Sequence, residues 1–147
     1  MVKFPLALAV AALLQGAAAP PAFQPQGVWL FHTYAQRDGA PVCSELWEFR
    51  PDGRMLIESG AERVTKTYRI ERDRDGLWIV GSILETNGAP DCTGAANPTP
   101  SRDEQRTYVL PMNGGEVMIC RAPTRTSGGA PFVSGCYGQI VPADQAG

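Results

Sequence analysis

The stretch SELWEFRPDGRMLIE at residues 44–58 has the pattern of a β-hairpin. In its first half, Trp47 and Phe49 alternate with charged residues, as in a strand that turns one face to a core. The second half alternates as well, and it follows PDG at 51–53, a sequence that favours a tight turn. The stretch therefore predicts two antiparallel strands with a shared apolar face.

Turn-forming residues punctuate the rest of the chain, and runs of strand length lie between them. We expect eight strands, at residues 28–34, 44–50, 54–58, 64–71, 77–84, 106–110, 116–121 and 132–140. Consecutive short strands with tight turns predict an all-β antiparallel meander. Eight strands predict closure into a small barrel, because closure removes exposed sheet edges. The predicted barrel domain covers residues 27–147.

The fifth predicted strand differs from the others. Its sequence, LWIVGSIL at 77–84, is apolar on both faces, whereas a barrel strand with a solvated outside should alternate. Two explanations remain open for its outer face. The Pro-rich segment 19–26 could cover it, or it could form a dimer contact.

The N-terminus has the pattern of a secretory signal peptide covering residues 1–18. Lys3 supplies the positive charge, residues 4–14 are mostly apolar, and small residues follow up to Ala19. Cleavage after Ala18 is expected, because cleavage after Ala19 would place Pro20 directly after the cut. The apolar run is too short for a membrane anchor. These features predict a periplasmic or secreted protein with no membrane span.

Four cysteines in an exported chain predict two disulfides. The pattern G-A-P-x-C occurs twice, ending at Cys43 and Cys92, and an up-and-down meander brings both loops to the same end of the sheet. Cys120 and Cys136 lie on either side of the last predicted turn and can face each other across it. Of the three possible pairings, the topology favours Cys43–Cys92 with Cys120–Cys136.

Catalytic and cofactor motifs are missing from the sequence. It has one histidine, His32, and neither a G-x-S-x-G elbow nor a phosphate-binding loop. Glu45 and Glu48 should point to opposite faces of one strand, and ERDRDG at 71–76 lacks the final glutamate of a calcium loop. With 13 Lys and Arg against 15 Asp and Glu, no basic block indicates nucleic acid. We therefore predict no enzyme activity, no metal and no cofactor.

The motif GVW at 27–29, at the head of the first strand, resembles the G-x-W signature of the lipocalin-like barrels. Together with the eight-strand layout, it indicates a small exported bacterial lipocalin-like protein. The resemblance implies that Gly27 and Trp29 lie at the closed end of the barrel, where the Trp29 ring would plug the floor. The remaining residues expected at the floor and in the core are Trp47, Phe49 and Tyr68.

Function is expected at the open end of such a barrel, in the two longest loops, 85–105 and 122–131. The candidate binding residues in these loops are Asn87, Asp91, Thr93, Asn97, Arg125 and Ser127. One hypothesis is a binding module that holds a small, partly apolar molecule in the barrel. The alternative is an interaction or hydrolase-inhibitor domain that docks on an envelope or extracellular protein, with its core filled by aromatic side chains. A cavity of several hundred Å³ would favour the first.

Overall fold

The computed structural model describes residues 23–95, 99–123 and 135–146. The strands are β1 (Gly27–Thr33), β2 (Gln36–Arg37), β3 (Ala40–Pro41), β4 (Ser44–Phe49), β5 (Arg54–Ser59), β6 (Glu62–Thr67), β7 (Arg69–Asp73), β8 (Gly76–Gly81), β9 (Ile83–Thr86), β10 (Gln105–Pro111), β11 (Val117–Cys120) and β12 (Cys136–Pro142). A single 3₁₀ turn, Ala143–Gln145, follows β12, and these ranges contain no α-helix. The predicted all-β antiparallel class is confirmed.

Ten of the strands form one antiparallel sheet that curls into a half-barrel, in the order β7-β8-β10-β11-β12-β1-β4-β5-β6-β9. Strands β2 and β3 form a separate two-stranded ribbon. The end strands β7 and β9 do not pair with each other. The prediction of eight strands in a closed barrel is therefore wrong in both strand count and closure.

The difference arises because two of the predicted long strands are each broken in the middle. The chain between β6 and β7 breaks at Tyr68, and the chain between β8 and β9 breaks at Ser82. At this crossing the Thr67 amide donates to the Ser82 carbonyl at 2.9 Å. Gly81 makes the close approach possible, since a Cβ there would lie 1.8 Å from the Thr67 carbonyl oxygen. Beyond the breaks the strands change partners, which leaves the sheet two ends.

Aromatic residues fill the inside of the half-barrel. Phe31 stacks on Trp47 with ring centroids 5.0 Å apart, and Phe49 meets the edges of Trp47 and Tyr68. Phe49 is only 1% exposed. The predicted core positions Trp47, Phe49 and Tyr68 thus belong to one packed cluster.

The outer face of β8 is covered by neighbouring strands of the same sheet. The Arg106 guanidinium lies 4.7 Å from the centre of the Trp78 ring, and Tyr108 meets that ring edge to face. Arg106 in turn forms ion pairs with Glu71 and Asp73. The described part of the Pro-rich segment lies elsewhere, because Gln26 donates a hydrogen bond to the Tyr68 hydroxyl.

Both predicted disulfides, Cys43–Cys92 and Cys120–Cys136, are present. They lie at the same end of the half-barrel, which we call the mouth, and they are consistent with an oxidising location outside the cytoplasm. Within the described ranges, no helix is long and apolar enough to cross a bilayer. The predicted signal peptide, residues 1–18, lies outside the described residues.

Candidate functional site

The inner surface of the half-barrel opens at the mouth into a cavity of about 240 Å³, which we call the mouth pocket. Its lining residues come from β4, β5, β6, β9, β10 and the loop after β9: Glu45, Ile57, Glu62, Val64, Lys66, Ile83, Asp91 and Gln105. The pocket therefore combines an aliphatic wall with carboxyl groups and one lysine.

Glu62 is the most unusual of these residues. It is 6% exposed, and its Oε1 atom has no hydrogen-bond partner among the described residues. Burial raises the pKa of this carboxyl, and the nearby Asp91 and Glu45 raise it further. A buried carboxyl group without a partner is unfavourable for folding, so Glu62 is the group in the pocket that a ligand would satisfy.

Glu45 differs from Glu62 because both of its carboxylate oxygens are engaged. Trp47 Nε1 donates to Oε2 at 2.7 Å, and the Ser59 hydroxyl donates to Oε1 at 3.0 Å. These bonds hold Glu45 at the boundary between the aromatic core and the pocket. Glu48 points to the outer face, where it pairs with Arg50. The prediction that Glu45 and Glu48 occupy opposite faces is confirmed.

The turn that carries Glu62 is attached to the loop after β9. Asn87 accepts a hydrogen bond from the Arg63 amide at 3.0 Å and donates one to the Ala61 carbonyl at 2.9 Å, so it bonds to the backbone on both sides of Glu62. Gly60 has a φ of +60°, and a Cβ at this position would lie 3.0 Å from the backbone of Asp91. The turn and the loop therefore approach too closely for a side chain between them.

Asp91 enters the pocket from this loop. Its Oδ1 accepts hydrogen bonds from the amide and hydroxyl of Thr93, at 2.8 and 2.7 Å, and from the Ala95 amide at 3.0 Å. The bond from the Thr93 hydroxyl is the main reason that the pKa of Asp91 is lowered. Thr93 thus positions Asp91 and favours its ionised form.

Lys66 lies at the other side of the pocket. Its ammonium group donates to Gln105 Oε1 at 2.8 Å, and it forms no ion pair with a described carboxylate. Burial lowers its pKa. Hence its positive charge does not neutralise Glu62 through direct contact.

The predicted binding residues divide into three groups. Asp91 lines the pocket, while Asn87 and Thr93 position the residues that do. Asn97, Arg125 and Ser127 lie outside the described residues.

The predicted floor residues lie away from the mouth. Trp29 is partly buried, packs against the core cluster and meets the Phe23 ring edge to face at 6.0 Å. Gly27 is exposed at the start of β1.

Sequence reasoning missed Glu45, Glu62 and Lys66 as pocket residues. The signal was present for two of them, since Glu62, Val64 and Lys66 alternate along one strand and must share a face. With Val64 in the core, a buried charge at position 62 follows. Charged residues are usually solvated, so composition alone gives no reason to place Glu45 or Glu62 in a pocket.

A metal centre has little support from the donor atoms near the pocket. Cys43, Glu45 and Cys92 present ligand-type atoms within 4.8 Å of one another. However, both sulfurs belong to the disulfide and supply no thiolate. His32 lies outside this group and bonds to Ser44 Oγ at 2.8 Å.

Two larger hollows, of about 490 and 480 Å³, lie on other parts of the surface. One follows the break between β8 and β9, where Thr67 and Ser82 already bond to each other. The other lies beside Trp29 and the 3₁₀ turn. Neither is lined by a buried polar atom that lacks a partner among the described residues.

The chain matches no protein-family model, no curated protein and no solved structure. The resemblance to lipocalin-like barrels consequently rests on the GVW motif and the antiparallel all-β architecture alone.

Proposed function

We propose that the protein is an exported, non-catalytic binding module that takes a small, partly apolar ligand, or one end of it, into the mouth pocket. The observation that supports this most strongly is Glu62, a buried residue that lines a cavity with an aliphatic wall and whose Oε1 has no partner among the described residues. Binding sites combine apolar walls with a few polar groups in this way.

Size limits the ligand. The mouth pocket has a volume of about 240 Å³, less than the roughly 300 Å³ at which pockets for drug-sized ligands begin. The aromatic cluster fills the inside beyond it. We therefore propose a ligand whose buried part has only a few carbon atoms, held in a lipocalin-like but shallow site.

Export is part of the same proposal. The signal pattern at residues 1–18 and the two disulfides both favour an oxidising compartment, either a periplasm or the outside of a cell. A ligand would then be acquired outside the cytoplasm.

A second candidate is an interaction or inhibitor domain that docks on an envelope or extracellular protein through its mouth loops. The filled aromatic core supports this candidate. So does the disulfide Cys43–Cys92, which joins the residue before β4 to the loop after β9 and reduces the entropy that this loop would lose on docking.

Native mass spectrometry of protein purified from its own host tests the proposal. The blocking variant is Gln105→Trp, which places a large ring at the pocket rim. Its control is Thr65→Trp, because Thr65 lies between two pocket residues on β6 and points to the opposite face. We expect the wild type and the control to retain a small molecule that the blocking variant lacks.

Other outcomes contradict the proposal in different ways. Equal retention by all three proteins would place the ligand elsewhere. A copurifying protein without any small molecule would favour the docking candidate.

A further inference from the structure

Negative groups outnumber positive groups in the mouth pocket. Glu45, Glu62 and Asp91 line it, against the single cation Lys66 among the described residues. These three carboxyl groups differ in their partners, as the hydrogen bonds show. Glu45 is fully engaged and Asp91 accepts three hydrogen bonds at one oxygen, while Glu62 Oε1 accepts none from the described residues.

Glu62 is 6% exposed, and a buried carboxylate whose oxygen has no partner among the described residues destabilises the fold unless something pairs with it. A positively charged ligand group would supply both the missing charge and the missing hydrogen-bond donors. The surrounding carboxylates would add to the attraction, because charges interact more strongly in a partly buried site than in water.

We propose that the mouth pocket binds an organic cation, namely the ammonium end of a small amine whose hydrocarbon part lies against Ile57, Val64 and Ile83. This inference rests on the proposed binding function and names the chemical class of its ligand. Glu62 contacts the ammonium group directly. Glu45 and Asp91 contribute negative charge from positions that their own hydrogen bonds hold in place.

An organic cation fits the pocket better than a metal ion does. Calcium takes six to eight oxygen ligands, whereas both oxygens of Glu45 and one oxygen of Asp91 already accept hydrogen bonds from the protein. The aliphatic wall offers nothing to a metal ion. It does offer a hydrocarbon chain a surface removed from water.

Lys66 sets the orientation of the ligand. It lies four residues after Glu62 on the same strand, about 13 Å along it, with Val64 between them. Because Lys66 repels a second cation, the ammonium group belongs at the Glu62 end, and the apolar part extends past Val64 towards Lys66 and Gln105.

Three probes of equal length test the charge requirement: n-pentylammonium, n-pentanol and n-pentanoate. Each is titrated into uniformly ¹⁵N-labelled protein at neutral pH, and binding is followed by amide chemical shifts. We expect n-pentylammonium to move the amides around Glu62 and Asp91 with saturation, and to bind about tenfold or more tightly than n-pentanol, as expected for a charge-assisted contact.

Glu62→Gln tests the assigned residue, and Glu58→Gln is its matched control. Glu58 sits at the outer surface of the preceding strand and pairs with Arg63, so both changes remove one negative charge from the same hairpin. We expect the affinity for n-pentylammonium to fall about tenfold in Glu62→Gln and to stay within about twofold in Glu58→Gln. The preference of the wild type among the three probes needs no variant, so a folding defect cannot hide the result.

Four results would overturn the inference. They are equal binding of n-pentanol, preferred binding of n-pentanoate near Lys66, saturable binding of calcium chloride in place of the amine, and no binding of any probe. In the first two cases the pocket still binds a small molecule and the proposed function stands. The proposed function fails separately, when native mass spectrometry finds no small molecule that Gln105→Trp displaces.

Discussion

The aromatic core and the mouth pocket occupy the same inner surface of the half-barrel. The core buries apolar rings, whereas the pocket buries a charged side chain. In the core, Phe31, Trp47 and Phe49 pack ring against ring. In the pocket, Glu62 is equally buried and its Oε1 has no partner among the described residues. Trp47 lies between the two regions. Its ring stacks on Phe31 in the core, and its Nε1 donates a hydrogen bond to Glu45 in the pocket.

The difference indicates that the aromatic core stabilises the fold and that the mouth pocket destabilises it. Aromatic packing stabilises the fold whether or not a ligand is present. A buried carboxyl group near two others opposes folding in the free protein. Natural proteins keep such local conflicts mostly at functional sites, which is why the mouth pocket, and not one of the larger hollows, is the candidate site.

The largest expected effect tests the core. Phe49→Ala should lower the free energy of unfolding by about 3–5 kcal/mol, because it removes a large buried ring and leaves a cavity. Leu46→Ala on the same strand is the control, since Leu46 is 41% exposed on the outer face, and it should change stability by less than about 1 kcal/mol. Urea unfolding measures both. Similar losses for the two variants would mean that β4 does not bury the Phe49 face.

The next largest loss of stability is expected on removal of the Cys43–Cys92 disulfide at the mouth. Replacing Cys43 and Cys92 by alanine should lower the unfolding free energy by about 3–4 kcal/mol. Without the crosslink, the unfolded chain regains the entropy of a long loop. The variant should also lose n-pentylammonium binding, since Asp91 precedes Cys92 and enters the pocket from the same loop.

The other disulfide provides the comparison. Removing Cys120–Cys136 frees a shorter loop and should cost about 3 kcal/mol, with binding retained when the protein is folded. Loss of binding in this variant alone would move the site towards the Cys120–Cys136 disulfide.

A smaller loss of stability is expected at Ser59, the last residue of β5, beside the mouth pocket. Ser59 is 1% exposed; its hydroxyl donates to Glu45 and accepts from the Cys92 amide at 3.2 Å. Ser59→Ala should therefore cost about 1–3 kcal/mol, because it leaves a buried donor and a carboxylate oxygen unsatisfied. Thermal unfolding detects the change. Ser44→Ala, at an exposed position on β4, should have less effect, and the reverse order would exclude this network as a source of stability.

The smallest expected change in the free energy of unfolding is a gain and not a loss. Glu62→Gln should raise stability at neutral pH, because it removes a charge that the folded state holds unfavourably. The pKa of Glu62 is raised in the folded protein, so the folded state keeps its proton longer than the unfolded state as pH rises. The wild type should then lose stability relative to the variant from the ordinary glutamate range upward, until the folded carboxyl also ionises.

Stability curves of both proteins between pH 3 and pH 8 measure this difference. The titratable groups that share the pocket with Glu62 are Glu45, Asp91 and Lys66, and the same curves for Glu58→Gln show how much a surface charge contributes. A constant gap between wild type and Glu62→Gln across this range would contradict the raised pKa.

Much of the architecture followed from local sequence pattern. The alternation around Trp47 and Phe49 and the turns between strands are predicted because strand period and turn chemistry are local properties. The pairing of the four cysteines follows from the up-and-down order of those strands. The stretch ERDRDG at 71–76, which does not fit a calcium loop, contains a turn in which Asp73 accepts hydrogen bonds from the amides of Asp75 and Gly76.

The tertiary structure alone decided the closure of the sheet and the content of the mouth pocket. The breaks at Tyr68 and Ser82 depend on the close approach of the Thr67 carbonyl to Gly81. This contact joins two strands, so the sequence of either strand by itself does not predict it. In the same way, Asp91 reaches Glu62 only because the loop after β9 closes over Gly60. Which charges meet, and how far they are buried, depends on contacts between residues distant in sequence, whereas strand alternation depends only on neighbours.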